Sequence, residues 1–285
     1  MTYYKLDPLV LQDKIVYNQI VGRTILHCDL NNFYASVEQK LHPEYDGMPL
    51  AVCGDPKARH GIVLAKNQLA KQAGVKTAET IWEAKQKYPE LVLVKPHFDE
   101  YVKYSKQVFE IYTSFTDRVE SFGIDECWLD VTGSEKLFGD GKTIADTIRQ
   151  TVKEKTGLTI SVGVSFTKTL AKLGSDLKKP DATTVLDEEH YMQIIGDMSP
   201  SEMIMIGRHT AEKLEKLNIR TIRDLANADR TALRYQFGVI GDALVNAAQG
   251  VETEEVKRYY DVRIPKSISK GTTTPRNIQT ADEAK

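Results

Sequence analysis

Two adjacent acidic residues, Asp125 and Glu126, lie between two apolar runs and constrain the fold more than any other feature of the sequence. Residues 118–122 and 127–131 each have the composition of a β-strand, and Gly123 permits a tight bend, so the pattern predicts a β-hairpin. Neighbouring strand residues point to opposite faces, but twist at the mouth of a hairpin lets both carboxylates reach one point. Two unneutralised carboxylates beside apolar strands cost free energy unless a cation or a basic side chain balances them. Mg²⁺, which binds carboxylate oxygens, is the natural candidate for that cation. Considered alone, a solvated turn explains the segment equally well.

A second segment pairs an acidic residue with the start of a helix. Residues 25–30 have the pattern of a short buried strand that delivers Asp29 at its end. A polar turn follows at 31–32, and a helix is predicted from Phe33 onward. The first N–H groups of a helix have no intrahelical partner and attract anions. A metal ligand followed by an anion site indicates a metal-bound phosphate as substrate.

The elements around these segments predict an α+β fold. Aromatic and aliphatic residues recur every three or four positions over residues 98–116, as in an amphipathic helix packed on a sheet. The hairpin comes next, then a helix over 142–156 that Gly157 ends, and then a strand over 159–164. Strand, helix, two strands, helix and strand, in this order, are the elements of a ferredoxin-like fold. That topology places Asp29 beside the hairpin carboxylates.

Three motifs resemble the Y-family, or translesion, DNA polymerases, the group that includes UmuC. They read DLNNFYASVE at 29–38, GIDECWLD at 123–130 and TKTLAKLGSDLKKP at 167–180. Each motif is weak alone, but three in order are specific. The resemblance implies a ferredoxin-like palm with a small fingers insertion, followed by a helical helix-hairpin-helix thumb. The implied domains are an N-terminal extension (1–23), the palm (24–32 and 97–180), the fingers (33–96), the thumb (181–250), and a linker with the stub of a little-finger domain (251–285).

The resemblance also implies two-metal nucleotidyl transfer of a dNTP onto a primer 3′-hydroxyl. By this resemblance Asp29, Asp125 and Glu126 are the catalytic metal ligands, and the Leu30 carbonyl completes the nucleotide-side ion. Two Mg²⁺ ions are the implied cofactors, since Mg²⁺ takes oxygen ligands. Asn31 occupies a position where many relatives carry a further Asp, which removes one charge but no expected ligand.

Nucleotide and DNA contacts are implied by the same motifs. Gln68 and Lys71 replace the Tyr and Arg of the family's fingers motif. Lys offers phosphate a single point charge, whereas the planar guanidinium of Arg can donate two parallel hydrogen bonds. Tyr34 occupies the family's steric-gate position, under the sugar. The implied nucleotide-binding residues are Asn32, Phe33, Tyr34, Asn67, Gln68, Lys71 and Lys172. The implied DNA-binding positions are the glycines of two helix-hairpin-helix-like segments, Gly207 and Gly241, whose neighbouring N–H groups would bind phosphates.

The composition bears on partners and location. The 285 residues carry a formal net charge of −2, which is unexpected for a protein that binds DNA. The family's little finger usually supplies a basic DNA-binding face, so we expect that this sequence lacks most of that domain, and with it a possible site for a sliding clamp. Cys28, Cys53 and Cys127 form no metal-finger spacing, and no membrane span or signal peptide is visible. We therefore expect a cytoplasmic monomer that acts on primer-template DNA and dNTP.

Two alternative functions remain open from the sequence. A nucleotidyl cyclase shares the palm and the two-metal chemistry, although the helix-hairpin-helix-like segments and the Lys-rich run at 168–180 argue against it. A catalytically degenerate DNA-binding accessory subunit is the other alternative, and the intact carboxylate set argues against it. Primer extension on a lesion-bearing template separates the three.

Overall fold

The computed structural model describes residues 22–55, 61–261, 266–271, 274 and 276–284. The chain forms two compact units. The first contains the described residues of 1–30, 108–155 and 159–260, and the second contains those of 31–107, 156–158 and 261–285. Most of the predicted N-terminal extension and a strand expected near Ile264 lie outside the described residues.

The described residues form strands and helices in an alternating order, as the sequence predicts. The strands are β1 (Ile25–Leu30), β2 (Leu50–Cys53), β3 (Val63–Lys66), β4 (Val92–Val94), β5 (Val119–Ser121), β6 (Glu126–Asp130), β7 (Ile160–Ser165) and β8 (Thr183–Leu186). The α-helices are α1 (Phe33–Leu41), α2 (Gln68–Gln72), α3 (Ile81–Lys87), α4 (Phe98–Thr113), α5 (Glu135–Phe138), α6 (Gly141–Thr156), α7 (Lys168–Leu177), α8 (Tyr191–Ile195), α9 (Arg208–Lys216), α10 (Ile222–Ala226), α11 (Arg230–Phe237) and α12 (Val239–Ala248).

The first unit contains a five-stranded sheet in the order β5-β6-β1-β7-β8. Strand β1 lies between two antiparallel neighbours, β6 and β7, and every residue of β1 is buried. Hydrophobic residues dominate β1 because a central strand is covered on both faces. The four strands β5, β6, β1 and β7, with α4 and α6 as connections, confirm the predicted ferredoxin-like fold.

Two elements differ in detail from the predicted pattern. Residues 183–186 form β8, which pairs in parallel with β7, at the start of a region that is otherwise mainly helical, as predicted. The run Thr-Thr-Val-Leu has β-branched residues, but four residues are too few for a periodic signal. Helix α4 ends at Thr113 rather than near 116, because the N–H groups of Ser114 and Phe115 bond to carbonyls three residues back and tighten the last turn.

Helix α7 packs closely against β7 and β1. Its start is capped by the Thr167 hydroxyl, which accepts a hydrogen bond from the Leu170 N–H at 3.2 Å. Gly163 on β7 makes the close approach possible, since a Cβ atom there would lie 1.9 Å from the Ala171 carbonyl oxygen. Because Gly163 has no side chain, α7 and its lysines lie close to the sheet.

The helices after β8 share one hydrophobic core with α7 and β8 within the first unit. Leu214, Ile222, Leu225, Leu233 and Val245 are fully buried in it. Thr221 and Asp224 form a reciprocal capping box at the start of α10, as the sequence predicts. Among the described residues, no helix has the length and apolar character needed to cross a membrane.

The second unit has its own small sheet, in the order β3-β2-β4. Strand β2 pairs antiparallel with β3 and parallel with β4. Its core includes Ala51, Val63, Ala70, Ala84 and Leu91, which are all at most 2% exposed. These elements fall within residues 33–96, the segment predicted to be the fingers.

The close approach of α7 to β7 generates a stability prediction. Gly163→Ala should lower the free energy of unfolding by about 3 kcal/mol, because the methyl group overlaps backbone atoms that cannot move aside cheaply. Gly133→Ala is the matched control, since nothing lies within 4 Å of a Cβ atom there. Urea unfolding of both variants measures the difference. Equal midpoints for the two variants would contradict this packing.

Candidate active site

Strand pairing brings the three predicted catalytic carboxylates to one end of the main sheet. Asp29 on β1 lies directly opposite Glu126, the first residue of β6. Asp125 belongs to the turn before β6, and its carbonyl accepts a hydrogen bond from the Leu30 N–H at 3.0 Å. Gly123, with φ of 115°, allows this turn. The register of two strands therefore holds all three acidic residues at the same end of β1.

Two lysines neutralise part of this acidic cluster. Lys172 on α7 lies 2.7 Å from Glu126 Oε2 and 3.8 Å from Asp29 Oδ2. Lys179, just after α7, lies 2.7 Å from Asp29 Oδ2. Both lysines also contact Asp176, at 3.5 Å and 2.8 Å. The sequence analysis singled out Lys172 but missed Lys179 and Asp176, although both belong to the third motif.

The pKa values of the three carboxyl groups diverge. Burial, followed by the charges of Glu126 and Asp29, raises the pKa of Asp125 to about 6. Burial also raises the pKa of Asp29, although Lys179 opposes it. Burial alone would raise the pKa of Glu126, but hydrogen bonds from His27 and Lys172 outweigh burial and lower it to about 2. Asp125 is thus the carboxylate whose charge the protein compensates least.

His27 is a second residue that the sequence analysis missed. Its Nε2 lies 3.2 Å from Glu126 Oε2, and its Nδ1 lies 2.8 Å from the Ser175 hydroxyl. Complete burial lowers the pKa of His27, so the ring is neutral. The Ser175 hydroxyl also donates a hydrogen bond to the Lys172 carbonyl at 2.7 Å. His27 thus lies in contact with both Glu126 and α7, and its position two residues before Asp29 on β1 is the signal that could have revealed it.

The charges around the cluster favour binding of a cation. Four carboxylates, including Asp176, face two lysines and a neutral histidine, which leaves two uncompensated negative charges. The available donors are carboxylate oxygens and backbone carbonyls, which suit a hard divalent ion such as Mg²⁺. The residues present therefore fit the predicted metal, which would compete with Lys172 and Lys179 for the same oxygens.

The predicted nucleotide-binding residues at the start of α1 lie in the second unit. Asn32 precedes the helix in the left-handed conformation, with φ of 49°, and its side chain makes no cap. Phe33 is buried, and Tyr34 is half-buried. The Tyr34 ring stacks on Tyr101, with ring centroids 4.2 Å apart and an angle of 11° between the planes. The stacked partner fixes the orientation of the Tyr34 ring.

Among the predicted fingers residues, Asn67 has a structural role at the junction of α2 and β2. It is 4% exposed, accepts hydrogen bonds from the N–H groups of Leu50 and Ala70, and donates to the Met48 carbonyl. With two hydrogen bonds accepted by Oδ1 and one donated by Nδ2, Asn67 joins α2 to β2, and its nucleotide contact stays a prediction.

Gln68 and Lys71 follow Asn67 on α2; Gln68 is partly exposed and Lys71 is exposed. A further lysine, Lys66 at the end of β3, was not predicted, and its ammonium group donates a hydrogen bond to the Thr77 hydroxyl at 2.9 Å. Burial and then the nearby charge of Lys71 lower the pKa of Lys66. Two cations close enough to affect each other indicate a site for an anion.

The two glycines predicted to bind DNA differ in how closely their surroundings are packed. Gly207 precedes α9, which has no side-chain cap, and the following Arg208 is 82% exposed at its side chain. Gly241 lies inside the first turn of α12, where its N–H bonds to the Gly238 carbonyl at 3.0 Å. A Cβ atom at Gly241 would lie 2.5 Å from the Leu233 carbonyl oxygen, so this glycine permits close packing of α12 on α11. The Gly241 N–H is thus engaged within the helix, and a phosphate contact of its neighbours stays a prediction.

The profile of the impB/mucB/samB family matches residues 28–176 of this chain. The chain is 50% identical to DNA polymerase IV of Acetivibrio thermocellus over 264 residues, which cover 92% of this chain and 66% of that protein. It is 37% identical to DNA polymerase IV 1 of Bacillus subtilis, with coverage of 92% and 63%. The chain thus spans slightly less than two thirds of the length of these curated relatives.

Solved structures show the same fold. DinB from Sulfolobus solfataricus superposes with a TM-score of 0.74 at 30% identity, over 82% of this chain and 69% of that chain. The insertion ternary complex of Dbh DNA polymerase superposes with a TM-score of 0.75 at 30% identity, with the same coverage.

The uncompensated charge of Asp125 predicts an unusual pH dependence of stability. A carboxyl whose pKa rises on folding stabilises the fold fully below its unfolded pKa, near 4, and this contribution is lost as the pH rises through about 6. Asp125→Asn mimics the protonated form. In metal-free buffer at pH 7.5 it should therefore increase the free energy of unfolding by about 1 kcal/mol after allowance for solvent screening.

Urea unfolding in EDTA at pH 7.5 and pH 5 measures this gain, which should shrink at the lower pH. Asp130→Asn, at the other end of β6, is the control and should show no such gain. A variant no more stable than the parent at pH 7.5 would show that the Asp125 charge is already compensated.

Proposed function

The chain belongs to the impB/mucB/samB family, and from this premise we propose that it is the catalytic part of a template-directed translesion DNA polymerase. Its reaction would join a dNTP to a primer 3′-hydroxyl opposite damaged or undamaged template. The observation that carries this proposal is the set of Asp29, Asp125 and Glu126 at one end of the sheet, with more negative charge than the lysines there can neutralise.

We assign two Mg²⁺ ions to these carboxylates and to the Leu30 carbonyl. Bound there, such ions activate the attacking hydroxyl and stabilise the leaving pyrophosphate. The chain's own contribution is to hold the ligands in place. The β1–β6 register fixes Asp29 against Glu126, the hydrogen bond from the Leu30 N–H fixes the Asp125 backbone, and His27 contacts the Glu126 carboxylate.

The basic side chains have two proposed roles in this reaction. Lys172 and Lys179 hold the carboxylates when no cation is present, and either ammonium becomes available to phosphate oxygens once a cation takes its place. In the second unit Lys66 and Lys71 form the basic pair that would bind phosphate, with Lys71 exposed. Asn32, Phe33 and Tyr34 would contribute the start of α1, and Gln68 the partly exposed start of α2.

We propose that Tyr34 excludes ribonucleotides. Its ring is held by the stack on Tyr101 and by an edge contact with Phe98, at 6.0 Å between ring centroids. A ring fixed on two sides cannot move away from a 2′-hydroxyl cheaply, because packed aromatic side chains lose contacts when they shift.

Domain roles and DNA binding remain proposals of the same kind. We propose that residues 24–32 and 97–180 act as palm, 33–96 as fingers and 181–250 as thumb, with the uncapped start of α9 near Gly207 as one phosphate contact. Primer-template DNA is the proposed partner. Three free cysteines, all buried, fit action in a reducing cytoplasm.

The carboxylate assignment predicts how activity depends on single residues. Asp125→Asn and Glu126→Gln should each reduce kcat for primer extension by about 10³-fold or more, because each removes charge from a site where charge develops in the transition state. Asp130→Asn, on the same strand as Glu126 but with its Oδ1 bonded to Thr132, should retain activity. Single-turnover extension of a labelled primer measures the rates. Near-parental rates for both site variants would refute the assignment.

The Tyr34 proposal predicts a change in sugar selection. Tyr34→Ala should increase ribonucleotide incorporation relative to deoxynucleotide incorporation by at least about 10-fold, the amount expected when about 1.4 kcal/mol of discrimination is lost. Tyr34→Phe keeps the ring and should keep the discrimination. Competing incorporation of rNTP and dNTP on one template measures the ratio. An unchanged ratio in Tyr34→Ala would remove Tyr34 from this role.

A further inference from the structure

A cluster of three potential metal ligands lies in the second unit. It includes none of the three carboxylates of the proposed active site. Glu38 is on α1, His42 follows the end of α1, and His97 precedes α4. One nitrogen or oxygen atom from each side chain lies within 4.8 Å of the others, and no other such group of His, Cys, Asp or Glu occurs among the described residues. We propose that Glu38, His42 and His97 form a binding site for a borderline divalent cation, with Zn²⁺ as the best match.

The central residue of the cluster is a completely buried carboxylate. Glu38 is 0% exposed, a position that charged side chains occupy only with partners. The Tyr101 hydroxyl donates a hydrogen bond to Oε1, and His97 Nδ1 lies 3.0 Å from both carboxylate oxygens. Tyr101 thereby holds one oxygen in place and leaves Oε2 directed at the imidazole. In metal sites, carboxylate ligands are held in position by hydrogen bonds of this kind from neighbouring side chains.

The distances suit a common ion. Two ligand atoms at about 2.1 Å from Zn²⁺ lie about 3 to 3.4 Å apart in regular geometry and at most about 4.2 Å apart. The 3.0 Å separation of His97 Nδ1 from Glu38 is already at this value. All three ligand atoms lie within 4.8 Å of one another, and His42 and His97 have ring centroids 6.2 Å apart, so a rotation of the imidazole rings is required to bring all three atoms onto one ion.

The histidine rings have room for that rotation. The side chains of His42 and His97 are 37% and 52% exposed. Solvent can therefore reach the ion and complete its coordination, as it does in sites with three protein ligands. His42 Nδ1 also contacts Glu44 at 3.2 Å, and this exposed carboxylate adds negative charge beside the site.

Two imidazoles and one carboxylate distinguish this site from the proposed active site. Imidazole nitrogen suits Zn²⁺ and its transition-metal neighbours, whereas Mg²⁺ prefers oxygen alone. A bound ion would join the C-terminal end of α1 to the residue before α4, so unfolding of the second unit would release it. The proposal does not depend on polymerase activity and goes beyond it.

Zn²⁺ binding to the full chain tests the site directly. The untagged protein is titrated with Zn²⁺ against a chromophoric chelator at pH 7.5, with Mg²⁺ in excess to compete at the oxygen-ligand site. His42→Ala and His97→Ala, both at exposed side chains, should each weaken Zn²⁺ binding at this site by more than about 100-fold. Even the loss of a group that only hydrogen-bonds to a ligand lowers metal affinity by about 10-fold to 100-fold. His190→Ala is the matched control, because the exposed ring of this histidine bonds to Asp187 in the same turn. It should bind like the parent.

Co²⁺ provides a second readout that reports on ligands rather than on affinity. The visible spectrum of the Co²⁺-loaded parent should show nitrogen coordination of low symmetry, and this signal should be lost in His97→Ala. Thermal unfolding should also show stabilisation by Zn²⁺ in the parent and in His190→Ala but not in His97→Ala. Equal Zn²⁺ affinity and equal Co²⁺ spectra in the parent and both site variants would overturn the proposal and leave His97 and Glu38 as an ordinary ion pair.

Discussion

The position of β1 between β6 and β7 is the constraint on which the site depends. A central antiparallel strand allows one register, because a shift by one residue would move each side chain of β1 to the opposite face of the sheet, away from the neighbours it packs against. That register sets Asp29 opposite Glu126 and brings the Leu30 N–H to the Asp125 carbonyl. Gly163 on the other neighbour lets α7 approach, and α7 brings Lys172 to the acidic cluster. The fold and the site are therefore specified by the same contacts.

Buried negative charge links this geometry to function. The protein compensates Glu126 well and Asp125 poorly, so the cluster retains an affinity for cations that its lysines do not satisfy. A lysine is a suitable temporary partner, since its ammonium group on a flexible stem can exchange one anion for another at little cost. We propose that Lys172 and Lys179 hold the carboxylates while no cation is bound and become available to phosphate once one is. On this proposal, the stability that the uncompensated charges cost is also the source of the cluster's affinity for cations.

The sequence predicted the elements that have strong local signals and missed those that depend on packing. The ferredoxin-like order and the joining of Asp29 to the carboxylate hairpin follow from long periodic segments and from motifs. The burial of Asn67, by contrast, follows from β2 and α2 packing on each other, which no local pattern reports. The close contact between α11 and α12 at Gly241 likewise depends on packing between helices, which the glycine alone does not report. His27 lies just before the first motif and Lys179 lies within the third, and both were missed because a single polar residue has no periodicity.

The central claim is that the cluster exchanges its lysine partners for divalent cations. A crystal structure of the protein soaked with Mn²⁺ and a dNTP, with anomalous diffraction to locate the metal, tests it most directly. The account predicts a metal peak among Asp29, Asp125 and Glu126, with the Lys172 ammonium moved away from its present 2.7 Å contact with Glu126. No peak there, with both lysine contacts unchanged, would contradict the account.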